Sequence, residues 1–144
     1  MRTIFRVAML LPGLLLAACG GDDEAEPAVM TASLPPGGQE YLVRFGETVR
    51  VGTLSLEFTT LAEEGRCPLN ATCVWQGNAK ILVTASQGRS RGVLELNTFS
   101  GHGISGSFEG YRIELRRLQP DIPWSPRGPL EEYRATLFVE HAGR

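Results

Sequence analysis

Leu54-Ser55-Leu56-Glu57-Phe58-Thr59 decides the fold class of this chain. Leu54, Leu56 and Phe58 point to one side of an extended chain, and Ser55, Glu57 and Thr59 to the other. A period of two marks a strand with one buried face and one wet face. The pattern recurs outward in both directions. Upstream, Tyr41, Val43 and Phe45 alternate with Leu42 and Arg44, and Val49 and Val51 with Thr48 and Arg50. Downstream, Ala79, Ile81, Val83 and Ala85 repeat it, then Leu94 and Leu96, then Tyr111, Ile113 and Leu115, and last Tyr133, Ala135, Leu137 and Val139. Gly46-Glu47 and Gln87-Gly88-Arg89-Ser90 read as turns. About seven short strands with frequent turn signals and no useful amphipathic helix predict an all-β protein. One-sided alternation calls for antiparallel pairing, hence a single β-sandwich or small barrel. The phase breaks after Leu115, where Arg117 stands in an apolar place and Leu118 takes over its role. A β-bulge absorbs such an extra residue; the end of the strand would explain it equally.

Two connections are long. Residues 99–109, FSGHGISGSFE, are small and Gly-rich and predict a mobile loop. Residues 119–131 hold Pro120, Pro123, Pro126 and Pro129 at a spacing that matches polyproline II, so an extended, stiff segment is expected there. Trp124 lies midway along it, with Arg127 three residues on and on the same side of such a helix.

The chain opens with a basic start (Arg2, Arg6), an apolar stretch from Val7 to Leu16, and Leu16-Ala17-Ala18-Cys19. The stretch is too short to span a bilayer and reads as a signal segment. It resembles the signal of bacterial lipoproteins. That resemblance implies cleavage after residue 18, a diacylglycerol on the Cys19 sulfur, and a lipid-anchored protein of the cell envelope. Gly20, rather than an Asp, follows the lipidated cysteine and implies the outer membrane. Residues 19–38, CGGDDEAEPAVMTASLPPGG, carry four acids, no base and few large apolar groups. They cannot bury enough surface to offset their ordering entropy, which predicts a disordered acidic tether. The globular domain is then 39–144, with 12 basic and 12 acidic side chains once Arg2, Arg6 and the four tether acids are set aside. A neutral domain argues against nucleic-acid partners, which need a basic patch.

Of three cysteines, Cys19 goes to the lipid, leaving Cys67 and Cys73. An even remainder in an oxidising compartment reads as a disulfide. A redox-active pair would call for C-x-x-C beside a βαβ unit, and zinc through Cys67, Cys73, His102 and His141 would need other spacings. Neither metal nor cofactor is expected.

The most individual stretch is Arg66-Cys67-Pro68-Leu69-Asn70-Ala71-Thr72-Cys73-Val74-Trp75-Gln76-Gly77-Asn78-Ala79. With Leu96-Asn97-Thr98, Gly110-Tyr111 and Tyr133-Arg134-Ala135-Thr136-Leu137, it resembles a group of small secreted or lipid-anchored bacterial β-proteins sharing R-C-P-x4-C-x-W-x-G-x-A. The resemblance runs from about Gly46 to Glu140. It implies fold and export, and supplies no catalytic residue.

Candidate sites follow by elimination. Gly101-His102-Gly103-Ile104-Ser105-Gly106 matches G-x-G-x-x-G, but no helix follows to make a dinucleotide site. His102 beside Ser100, Ser105 or Ser107 does not amount to a triad, and His141 is expected in solvent. The chain is therefore read as a non-enzyme, a binding or structural module of the envelope whose partner is an envelope protein or a polysaccharide. Trp75, Trp124 and Arg127 are the candidate contact residues, since aromatic and Arg side chains anchor interfaces. Both tryptophans could instead be lids on the core. The alternative function is a small enzyme with a pocket at the 99–109 loop.

Overall fold

The structure is a computed structural model and describes residues 37–121 and 128–142. Eight strands form it: β1 (Gln39–Arg44), β2 (Thr48–Val51), β3 (Leu54–Glu64), β4 (Ala79–Gln87), β5 (Ser90–Asn97), β6 (Ser105–Phe108), β7 (Tyr111–Gln119) and β8 (Arg134–His141). They make two four-stranded sheets, ordered β1-β8-β7-β6 and β2-β3-β4-β5, with every paired strand antiparallel. The expected all-β sandwich is the observed fold.

Alternation places the core as the sequence dictates. Leu54, Leu56 and Phe58 of β3 and Ile81, Val83 and Ala85 of β4 face Val43, Ile113, Leu137 and Val139 of the other sheet, all without solvent exposure. Bulges let the strands run on where the pattern falters. One lies between Phe58 and Thr60 and another between Leu61 and Glu63, so Leu61 turns inward and β3 reaches Glu64. A third lies between Leu115 and Arg117, which returns Leu118 to the core and settles that phase break as a bulge.

Two expectations need correction. Gly46-Glu47 does not turn a hairpin between paired strands. Glu47 N donates to the Arg44 carbonyl (3.0 Å), and the bend, with Gly46 at φ 75°, carries the chain from one sheet to the other. The 99–109 segment is not a mobile loop. It contains a single 3₁₀ turn at Ser100–His102 and the edge strand β6, paired with β7. Absence of side chains is what permits this. A Cβ on Gly106 would lie 3.0 Å from the Leu94 side chain, and one on Gly92 3.0 Å from Phe108. β5 and β6 thus approach closely and close one edge of the sandwich. His141 is exposed, as expected, and its ring packs edge-on against Tyr111 at 4.9 Å between centroids.

The outer face of the β1-β8-β7-β6 sheet is closed by charge pairing. Glu114, itself buried, sits between Arg112 (3.1 Å) and Arg116 (2.9 Å), and Arg116 stacks over Phe138 at 4.7 Å.

Candidate binding surface at the stapled end

The chain between β3 and β4, residues 65–78, crosses the same end of the sandwich as the β5–β6 connection and the end of β7. Arg66 fixes it there. Its guanidinium holds the Glu64 carboxylate through Nε (2.8 Å) and Nη2 (2.5 Å), while Nη1 donates to the carbonyls of Leu118 (2.7 Å) and Pro120 (2.8 Å). One side chain thereby ties the end of β3 in one sheet to the end of β7 in the other. Both members of the pair are nearly buried, at 10% and 6% side-chain exposure, so neither charge can turn to water instead.

Cys67 and Cys73 are bonded, as the cysteine count predicts. The chain-entropy relation gives about 2 kcal/mol for a loop this short. Cys67 N donates to the Gln76 carbonyl (3.0 Å) and Gly65 N to that of Asn78 (2.8 Å), so the two ends of the segment run side by side. Gly77, at φ 74°, sits where any Cβ would overlap the Gly65 carbonyl. The stapled loop is held apart from the core, and its apolar groups are not tucked in. Leu69 is 56% exposed, Trp75 55%, and Val74 wholly so. Trp75 is therefore not a lid. Its indole meets Phe99 edge-on at 6.2 Å, and Phe99 in turn meets the His102 ring at 5.4 Å.

Behind Trp75 lies a hydrogen-bonded base. Asn78 Nδ2 donates to Asn97 Oδ1 (2.8 Å), and Asn97 Nδ2 donates to the His102 carbonyl (2.8 Å). Asn78 Oδ1 accepts from Phe99 N (3.0 Å), and Thr98 Oγ1 accepts from Ala79 N (2.9 Å). The Asn-Thr pair at 97–98 and the Asn-Ala pair at 78–79 thus interlock, which gives both stretches of the motif a common structural purpose.

Two grooves flank the loop. One, of about 560 Å³, is lined by Trp75, Asn78, Asn97, His102, Lys80 and Glu95, with Glu63 and Glu64 at its side. Lys80 donates to Glu63 at 2.8 Å. That hydrogen bond, the Glu63 charge and the nearby Glu95 hold the Lys80 ammonium above its ordinary pKa. The other, of about 550 Å³, is lined by Pro68, Leu69, Gln76, Thr98 and Asp121. Asp121 pairs with Arg117, and the hydrogen bond to that guanidinium keeps its carboxyl below the usual value.

Of the candidate contact residues, Trp75 lies on this surface, while Trp124 and Arg127 fall outside the described residues. Cys19 falls outside them too. The 99–109 segment contributes His102 to a groove wall rather than enclosing a pocket of its own. The sequence offered no cue to Glu63, Lys80 or Glu95, which meet only through strand register: Lys80 opposes Glu63 on one side and Asn97 on the other, and Leu82 opposes Glu95. Among the described residues, no group of His, Cys, Asp and Glu is arranged to hold a metal ion. Compared with known proteins, the chain matches no family model, no curated protein and no solved structure.

Proposed function

We propose that the protein is a lipid-anchored β-domain of the bacterial cell envelope that acts as a binding module and meets its partner with the stapled end. Anchoring through Cys19, placement in the outer membrane and a spacer of residues 19–38 follow from the lipobox and the acidic, Gly- and Pro-bearing stretch after it. The binding reading rests on one observation above the rest. Leu69, Val74 and Trp75 are exposed within a few residues of one another on a segment stapled by the 67–73 disulfide. Exposed apolar side chains grouped in this way mark interaction sites. A loop already held in shape loses little entropy on contact.

A second reading, a small envelope enzyme using the 99–109 segment, draws on the presence of His102 in the groove wall. Its imidazole packs on Phe99, and the hydrogen bond described for this residue with Asn97 goes to the backbone carbonyl. A general base needs a nucleophile or an orienting group within hydrogen-bond reach, so the binding reading is preferred.

The test is a photo-crosslinking amino acid placed in intact cells at Val74, and in a parallel strain at Val93, an exposed site on β5. Adducts at position 74 and none at 93 are the expected result. Equal labelling at both, or none at either, would remove the stapled end as the contact surface.

A further inference from the structure

We propose that the groove beside Trp75 binds a neutral saccharide, with one sugar ring lying against the indole. The inference rests on the reading of the stapled end as the contact surface and names the class of ligand for its concave side. The volume, about 560 Å³, falls in the range of small-ligand sites. Among the described lining residues its large apolar side chain is the half-exposed indole of Trp75, in edge contact with Phe99. The C–H hydrogens on a pyranose face carry partial positive charge and meet the electron-rich face of an indole favourably.

The rest of the described lining is polar, and two pairs within it are already bonded to each other. Lys80 is tied to Glu63, and Asn78 to Asn97, each at 2.8 Å. An ammonium has three donors and an ionised carboxylate about four acceptor sites, so these groups keep capacity after their mutual bonds. Sugar hydroxyls both donate and accept, which suits a wall that mixes the two. A protein partner would prefer a different lining, since interface cores are depleted in charge.

Charge selects among saccharides. Glu64 is neutralised by Arg66, and Lys80 faces both Glu63 and Glu95. Among the described residues the groove is left with one surplus negative charge, which disfavours uronic-acid or phosphate-bearing chains and admits neutral rings.

The experiment uses the full chain in a polyoxyethylene detergent, because alkyl-sugar detergents would compete. Tryptophan fluorescence and calorimetry are followed during titration with cellotetraose, tetra-N-acetylchitotetraose and, as the anionic comparison, tetragalacturonate. Saturable binding of at least one neutral oligomer is expected, with tetragalacturonate about tenfold weaker or absent. Trp75→Ala should weaken binding at least about tenfold, Trp75→Phe should keep it within about threefold, and Lys80→Gln should weaken it several-fold. The Phe variant preserves an aromatic face should the Ala variant fold poorly, and Val93→Ala should bind as the parent does. No saturable signal from either neutral oligomer at about 10 mM overturns the proposal, as does equal binding of the anionic one. If the saccharides fail while a crosslinker at position 74 captures a protein, the saccharide inference falls and the binding reading stands. If both fail, both are lost.

Discussion

The two ends of the sandwich are built on opposite principles. At one end three pairs of strands are joined by two residues each: Gly52-Thr53, Gly88-Arg89 and Glu109-Gly110. Gly52 and Gly88 have φ of 60° and 58°, and Glu109 and Gly110 of 46° and 79°. These are the left-handed conformations that short hairpin turns require. At the other end the chain takes 14 residues to pass from Glu64 to Ala79, and it adds a disulfide and an ion pair to hold them. The described loops of the hairpin end expose no large apolar side chain, whereas the stapled end exposes Leu69, Val74 and Trp75. The longer, cross-linked route costs ordering entropy that a purely structural connection need not incur, and this is the physical case for placing recognition there.

The largest expected effect tests whether the stapled end is truly fastened. Arg66→Ala leaves the Glu64 carboxylate, 6% exposed, without its cation, and leaves the Leu118 and Pro120 carbonyls without their donor. Breaking a buried pair from one side costs about 4 kcal/mol, a large part of the stability of a small domain. Arg66→Lys should recover only part of it, because an ammonium cannot hold a carboxylate in bidentate fashion and also reach two carbonyls. Urea denaturation measures both. A loss below about 1 kcal/mol for the Ala variant would mean that the pair behaves as a surface pair and does not join the sheets.

A smaller effect is expected at the hairpin end. Gly88 is open on all sides, so a Cβ there meets nothing, and the cost of Gly88→Ala is the backbone conformation alone. That is about 1 kcal/mol, seen as a fall in Tm of a few degrees. Ligand capture at the stapled end should not change. If it did, the two ends would be coupled through the sheets, and the division of labour drawn above would be too sharp.

What the sequence makes legible follows the same division. Strands on the core side announce themselves by alternation, so the sandwich can be read residue by residue, and of its three hairpin turns the one at Gly88-Arg89 can be read as well. The strand β6 cannot. Ser105-Gly106-Ser107-Phe108 offers one apolar side chain in four, and its glycine is there to let Leu94 approach, a reason visible only in three dimensions. Arg66 is plain in the motif, but its carbonyl partners lie 52 and 54 residues away. The same holds for the groove. Trp75 is a legible candidate because tryptophan is scarce here, with two in the chain. Glu63, Lys80 and Glu95 come from three strands, and the β3 bulges set which of their neighbours they meet. Spacing along the chain carries no record of that register.

The smallest effect concerns the Arg117–Asp121 pair, which lies beside the second groove where the chain leaves β7. Asp121 is held below its ordinary value of 3.8, first by the hydrogen bond from Arg117; burial opposes the shift, and the charges of Arg117 and Arg66 add to it. A carboxyl whose folded pKa is depressed stabilises the fold at pH above its unfolded value. The contribution fades as pH falls from that value through the lowered one. The window is therefore acidic, below about pH 4, and neutral pH lies on its plateau. Both side chains are about half exposed, so water and salt screen most of the interaction. Carboxyl NMR titration should give Asp121 a midpoint below 3.8 that moves up toward it in Arg117→Ala and in high salt. The stability of Arg117→Ala at neutral pH should hardly change. A change as large as that of Arg66→Ala would show that the exit from β7 is also a fastening point. The stapled end would then be held by two ion pairs rather than one.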